Sequence, residues 1–255
     1  MLPPGYDTPA NRGRRYPVVY LIHGYPYGSS SDWFTAGDAV GTMQALLAEH
    51  VVSPMIVVSV DMTAASPSTD WECLNVPSGP QLESYLTRWV VPRIDHLLRT
   101  VANRSGRALG GMSGGGFCAL NIGLHHLPTF SSLLITEPYD DPGDAARLLG
   151  GNPALVRHNT PRAYLPSMLF TAPIATLLDA PAGAPTDVRT AWRIARALAA
   201  RRQPVALREE YGFNHTWHTA RAALPFLLTY ADQHFSRAVP HRPGAEHGHH
   251  RARRT

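Results

Sequence analysis

Short, unbroken apolar runs recur along the chain, separated by longer stretches in which apolar residues return every three or four positions. The runs are YPVVYLIH (16–23), PMIVVSVD (54–61), RALGGM (107–112), SSLLIT (131–136), PSMLFT (166–171) and PVALREE (204–210). Several show no polar alternation, the pattern of strands buried on both faces. Helical spacing marks 37–50, 80–100, 114–126, 187–202 and 217–235, the last with an internal Pro225 that should kink it. Within 80–100, the positions Leu82, Leu86, Trp89, Val90, Ile94 and Leu97 form a stripe expected to face the core. Strands alternating with helices predict an α/β fold, a mostly parallel sheet with helices on both faces. The stretch 137–165 is rich in Pro, Gly and Asp and has no strong period. It is expected to be either a cap over a site or a surface excursion with one short helix at 144–149.

A chain of 255 residues suits one domain, placed here at 1–235, followed by a tail at 236–255. The formal charge of +4 invites a nucleic-acid reading. It all lies in the tail, however, where Arg237, Arg242, Arg251, Arg253 and Arg254 face Glu246, so the body is neutral. That disfavours nucleic-acid binding, and the tail's composition predicts disorder. Cys73 and Cys118 are too few for a disulfide framework and are expected to be free, buried thiols. The first residues, MLPPGYDTPANRGRRYP, show no charged start followed by an apolar stretch, and no run approaches the ~20 apolar residues of a spanning helix. As written, the chain is expected to be cytoplasmic, with no membrane segment.

The chemistry concentrates at GGMSGGGFCAL (110–120). Gly111-Met112-Ser113-Gly114-Gly115 fits G-x-S-x-G between a strand and a helix, where a strained turn presents the serine hydroxyl above the sheet edge. The same turn aims the Gly114 backbone N–H at an oxyanion forming on an attacked carbonyl. A serine needs a base, and in a Ser–acid–His order the base follows the last strand. There the chain reads YGFNHTWHT, with His215 in the loop before the final helix and His218 inside its first turn, so His215 is the candidate. The acid is sought in APIATLLDAPAGAPTD, which offers Asp179 and Asp187. Asp187 suits a helix N-cap or first turn, which leaves Asp179 as the candidate and Asp187 as runner-up. The second oxyanion donor is expected in HGYPYGSSSDW, from the backbone of Tyr25, since Pro26 has no N–H. His23 is expected to support that loop by hydrogen bonding. The aromatic residues Tyr25, Tyr27, Trp33 and Phe34 suggest a nearby apolar pocket. Asp61, Asp70 and Glu72 match no common metal-ligand spacing and are expected to form a structural loop.

The segments LPPGYD…YPVVYLIHGYPYGSSSDW, DWECLN…QLESYLTRWVVPRID, RSGRALGGMSGGGFCALNIGLHH and NHTWHTARAALPFLL together resemble the esterase D and mycolyl-transferase-like branch of the α/β-hydrolase superfamily. The similarity covers nearly all of Leu2 to Phe235. It implies a serine esterase or acyltransferase with a Ser–acid–His triad, no metal or organic cofactor, and a small-molecule or lipid ester as substrate. By that resemblance the oxyanion donors map to Tyr25 and Gly114. The pattern places a glycine and an acid, spaced G-x-x-D, just after the strand assigned at 166–171, whereas this chain reads TAPIATLLD, which displaces Asp179 by several residues. It also includes an N-terminal export or membrane segment and an earlier strand, so an exported parent form fits it. The alternative is a hydrolase fold that has lost catalysis and serves as a binding or structural module.

Overall fold

The computed structural model describes residues 1–235; the tail at 236–255, with its expected disorder and weighed nucleic-acid contact, lies outside the described residues. Six strands, β1 (Val18–Ile22), β2 (Ile56–Val60), β3 (Arg107–Met112), β4 (Ser132–Thr136), β5 (Ala175–Pro181) and β6 (Val205–Glu210), form one sheet in the order β2-β1-β3-β4-β5-β6. Every neighbouring pair is parallel. Chain order reverses between β1 and β3, and in open parallel sheets such a reversal opens a crevice at the carboxyl ends of the strands.

The helices are α1 (Ala39–Ala48), α2 (Leu82–Ser84), α3 (Val91–Leu97), α4 (Gly114–His125), α5 (Pro153–His158), α6 (Pro161–Tyr164), α7 (Pro185–Ala200) and α8 (Trp217–His234). Alternate strand residues sort them onto two faces. Tyr20, Leu109, Leu133 and Leu178 pack with residues of α2 to α4 and α7, while Val19, Ala108, Leu134 and Leu177 pack with α1 and α8. Both sheet faces are therefore covered, as the unbroken apolar runs require. Among the described residues no helix is long and apolar enough to cross a membrane.

Three expectations are corrected. The run PSMLFT at 166–171 is not a strand: Leu165–Ser167 is a 3-10 turn, Leu169 is 82% exposed, and the strand is ATLLDAP, buried throughout. Asp179 in its middle disguised the true strand. The stripe on 80–100 is also altered, because a π-helical stretch, Tyr85–Val90, joins α2 to α3 just before Pro92, whose missing N–H breaks the regular ladder. Inward positions then fall every fourth residue, Leu82, Leu86, Val90 and Ile94, and Trp89 and Leu97 turn outward. Finally, Cys73 and Cys118 are not free but form a disulfide across 45 residues, linking the loop after β2 to α4. Closing a loop of that length restrains the unfolded chain by about 4 kcal/mol. Both sulfurs are buried, and only the folding of the β2 loop over α4 brings them together.

Residues 137–165 contain a 3-10 helix, Gly143–Leu149, followed by α5 and α6. Ala145 and Leu149 pack on Phe117 of α4, and Asp140 pairs with Arg193 of α7. The segment thereby brings its first residues to the carboxyl edge of the sheet.

Candidate active site

Ser113 lies between β3 and α4 with φ 55 and ψ −124, a conformation seldom adopted by residues with a Cβ. Two backbone hydrogen bonds hold it, from Ser113 N–H to the Thr136 carbonyl (3.2 Å) and from Phe117 N–H to the Ser113 carbonyl (3.0 Å). The flanking glycines are required by close approach. A Cβ on Gly111 would lie 2.2 Å from the Gly115 carbonyl oxygen, and one on Gly115 would lie 2.3 Å from that of Ile22. Strand, helix and β1 thus cross at backbone contact distance, and Ser113 sits above the crossing at the chain reversal.

His215 occupies the bend before α8, and its Nε2 lies 2.8 Å from Ser113 Oγ. Its Nδ1 lies 2.6 Å from Asp187 Oδ2. A carboxylate can only accept, so Nδ1 carries the proton and Nε2 is left to accept from the serine hydroxyl. Burial alone would lower the imidazole pKa, but the Asp187 hydrogen bond and the charges of Glu137 and Asp187 outweigh it and leave it raised. His218 points to solvent from the first turn of α8.

The acid facing His215 is therefore Asp187, not Asp179. With β5 at Ala175–Pro181, Asp179 is inside the strand, opposite Thr136 in register and fully buried. Its carboxylate meets Thr136 Oγ1 (3.4 Å) and Arg208 Nε (3.4 Å). Burial, then the Glu210 charge, push its pKa up to about 7 against the pull of Arg208. Asp187 does lie in the first turn of α7, as its sequence context predicts, yet no side chain caps that helix and its carboxylate turns to the imidazole instead.

The loop after β1 closes the other side. A Cβ on Gly24 would lie 3.4 Å from Ser113 Cβ, so the backbone leading into Tyr25 runs against the Ser113 turn. His23 supports it: Nδ1–H donates to the Gly24 carbonyl (2.8 Å), and Nε2 accepts from Met62 N–H (3.0 Å). Tyr27 N–H donates to the Pro67 carbonyl (2.8 Å), pinning the loop to the 67–73 segment. Of the aromatics near this loop, Tyr25 lines a cavity, Tyr27 is exposed, and Trp33 is buried in the core with its Nε1–H on the Ile22 carbonyl (2.9 Å).

Two site residues were not anticipated from sequence. Glu137, directly after β4, is fully buried with φ 54, and its Oε1 accepts from Thr216 N–H at 2.5 Å. Thr216 follows His215, so this bond fixes the histidine loop to the sheet. Burial pushes the Glu137 pKa up to about 8, against the pull of His215. Tyr139 stacks on the His215 ring at 5.8 Å. Burial raises its phenol pKa, with a hydrogen bond to Ser113 drawing it partly back. Both residues stand at the carboxyl end of a strand, the one sequence signal that could have found them.

A carboxyl that binds its proton more tightly when folded costs stability as pH rises, here from the ordinary value of 4.5 through about 8. For so buried a group the cost above that range is on the order of a few kcal/mol. Glu137→Gln, which keeps the acceptor for Thr216, is expected to melt with the parent at pH 5 and about 5–10 °C above it at pH 9. Equal melting temperatures at both pH values would show that Glu137 carries no such charge penalty.

A protein-family model described as "Putative esterase" matches residues 1–223. An uncharacterized protein of Corynebacterium glutamicum is 32% identical over 142 residues, covering 55% of this chain and 32% of that protein. An esterase of Mycobacterium tuberculosis is 33% identical over 135 residues, covering 52% of this chain and 26% of that protein. The chain thus spans about a third of the first and a quarter of the second. Among solved structures, a ferulic acid esterase superposes with a TM-score of 0.78 at 21% identity, covering 92% of this chain and 91% of that one. An S-formylglutathione hydrolase from Agrobacterium tumefaciens gives 0.72 at 16% identity, covering 92% and 88%. These likenesses show the α/β-hydrolase fold.

Proposed function

Since the chain belongs to this esterase family, we propose that it hydrolyses carboxylic esters through an acyl-enzyme on Ser113. The observation that carries this reading is the continuous relay from Ser113 Oγ through His215 to Asp187, with contacts of 2.8 and 2.6 Å. Ser113 Oγ attacks the ester carbonyl while His215 Nε2 takes its proton, and Asp187 stabilises the imidazolium and holds its orientation. The carbonyl oxygen becomes an oxyanion received by the backbone N–H groups of Tyr25 and Gly114. The C–O bond to the alcohol then breaks, and His215 returns the proton to the departing oxygen. Water, deprotonated by His215, attacks the acyl-enzyme and releases the acid and Ser113. An alcohol in place of that water would give acyl transfer.

A fold without catalysis would not need a serine in a strained turn, an imidazole with its acceptor nitrogen on that serine and a buried acid behind it. The test is labelling with a fluorophosphonate, alongside hydrolysis of p-nitrophenyl esters from acetyl to long acyl. The expected result is a single adduct on the peptide containing Ser113 and loss of hydrolysis in proportion to labelling. A folded protein that neither labels nor turns over any member of the series would leave the binding-module reading in its place.

A further inference from the structure

Glu137 is a buried carboxyl that the reaction as drawn leaves unused. It directly follows β4 with φ 54, and its N–H donates to the Asp179 carbonyl (2.9 Å), which ties this backbone to β5 at the carboxyl edge of the sheet. The side chain is fully buried. Oε1 accepts from the N–H of Thr216, the residue after His215, at 2.5 Å. Oε2 is buried with no hydrogen-bond partner among the described residues.

The Thr216 hydrogen bond does not by itself account for a carboxyl. An amide would offer the same acceptor and would never take a charge, whereas a buried carboxylate is costly unless a partner offsets it. The groups that face Glu137 are His215 from the loop before α8, Asp187 from α7 and Asp179 from β5, together with the Tyr139 phenol on its own segment. Arg208 of β6 is engaged by Asp179 and Glu210. Of the groups that face it, only His215 can become a cation, and it does so during the reaction, when Nε2 takes the Ser113 proton.

We propose that Glu137 is a positioning residue for the reaction: its carboxylate, held against the Thr216 N–H, acts on His215 by charge and favours the imidazolium that forms as Ser113 attacks. The inference rests on the Ser113 esterase reading. No proton passes to Glu137, since the Ser113 proton goes to His215 Nε2 and from there to the departing oxygen. Asp187 and Glu137 divide the work. Asp187 bonds Nδ1–H and fixes the tautomer, while Glu137 supplies a second negative charge beside the ring. Against the burial that lowers it, the His215 pKa is raised by the Asp187 hydrogen bond and next by the Glu137 charge. Because burial pushes the Glu137 pKa up to about 8, that charge is largely absent at neutral pH and present above it. The same ionisation that weakens the fold therefore strengthens the site.

The experiment follows p-nitrophenyl acetate hydrolysis between about pH 6 and 9.5 in the parent, Glu137→Gln and Asp179→Asn, with Ser113→Ala as the blank for alkaline background. In the parent, kcat/KM is expected to rise through the His215 limb and then by a further three- to tenfold, roughly, in a second step near pH 8. Glu137→Gln should keep the first limb and lose the second. Asp179→Asn should keep both, which assigns the second step to Glu137 rather than to the other buried carboxyl. Melting curves establish that each variant is folded at each pH. In parallel, the His215 imidazole resonances are titrated by NMR, a readout that needs no turnover, and should show a second inflection near pH 8 in the parent that is missing in Glu137→Gln. Rate profiles of the same shape in the parent and Glu137→Gln, even if displaced by a constant factor, would overturn the proposal and leave Glu137 only as an anchor for Thr216. Loss of the second step in Asp179→Asn but not in Glu137→Gln would overturn it as well. A second NMR inflection that depends on Glu137 in a protein that neither hydrolyses esters nor labels with fluorophosphonate would instead overturn the esterase reading and leave the charge link to His215 standing.

Discussion

Ser113→Ala is expected to lower kcat for ester hydrolysis by about 10⁵–10⁶-fold and to abolish fluorophosphonate labelling. The substitution removes Oγ and nothing else. Alanine keeps the Cβ, so the strain of φ 55 is unchanged, and the backbone bonds that hold the turn use the Ser113 N–H and carbonyl rather than its hydroxyl. Melting should therefore change little, which separates lost chemistry from lost fold. The hydroxyl is 2.8 Å from His215 Nε2, and without it the imidazole has only water to activate. Whatever activity persists then measures the oxyanion donors and substrate positioning alone. A variant that kept a tenth of the parent rate would mean that hydrolysis does not pass through Ser113.

The parts of this site that could be read from sequence are those whose positions are set by local geometry. G-x-S-x-G between an apolar run and a helix locates Ser113 because the crossing of β3, α4 and β1 leaves no room for side chains at Gly111 and Gly115. His215 is legible because it directly precedes the last helix, and only a loop residue there can reach back over the sheet. The acid was misplaced through the strand before it. PSMLFT is as apolar as a strand, whereas ATLLDAP carries a carboxylate at its centre, so apolar pattern alone favoured the wrong segment. Once β5 is set at Ala175–Pro181, Gly183 and Asp187 follow that strand, the acid four positions after the glycine rather than the three of G-x-x-D. Two further features were hidden for a different reason. Glu137 beside His215, and Cys73 beside Cys118, are pairings across 78 and 45 residues that only the tertiary fold creates.

Asp187→Asn is expected to reduce kcat by about 10⁴-fold while preserving the fold, and Asp179→Asn to leave kcat within a few-fold of the parent. At 187 the carboxylate accepts from Nδ1–H at 2.6 Å and so keeps the lone pair of His215 on Nε2, facing the serine. An asparagine presents an N–H in the same space, which favours the tautomer with the lone pair on Nδ1 and leaves Nε2 protonated against Ser113. The pH profile should change with the rate. Hydrolysis needs neutral imidazole, and because Asp187 raises the His215 pKa, the acid limb of kcat/KM in the parent should lie above the ordinary imidazole value of 6.5. In Asp187→Asn the residual rate should show that limb displaced to lower pH. Asp179 acts on stability instead. Its raised pKa of about 7 means that its ionisation weakens the fold as pH rises from 3.8 through 7, so Asp179→Asn should melt higher than the parent at pH 9 and equally with it at pH 4. The opposite outcome, with Asp179→Asn losing three orders of magnitude in rate and Asp187→Asn nearly none, would return the acid to the strand and require His215 to turn away from Asp187 during catalysis.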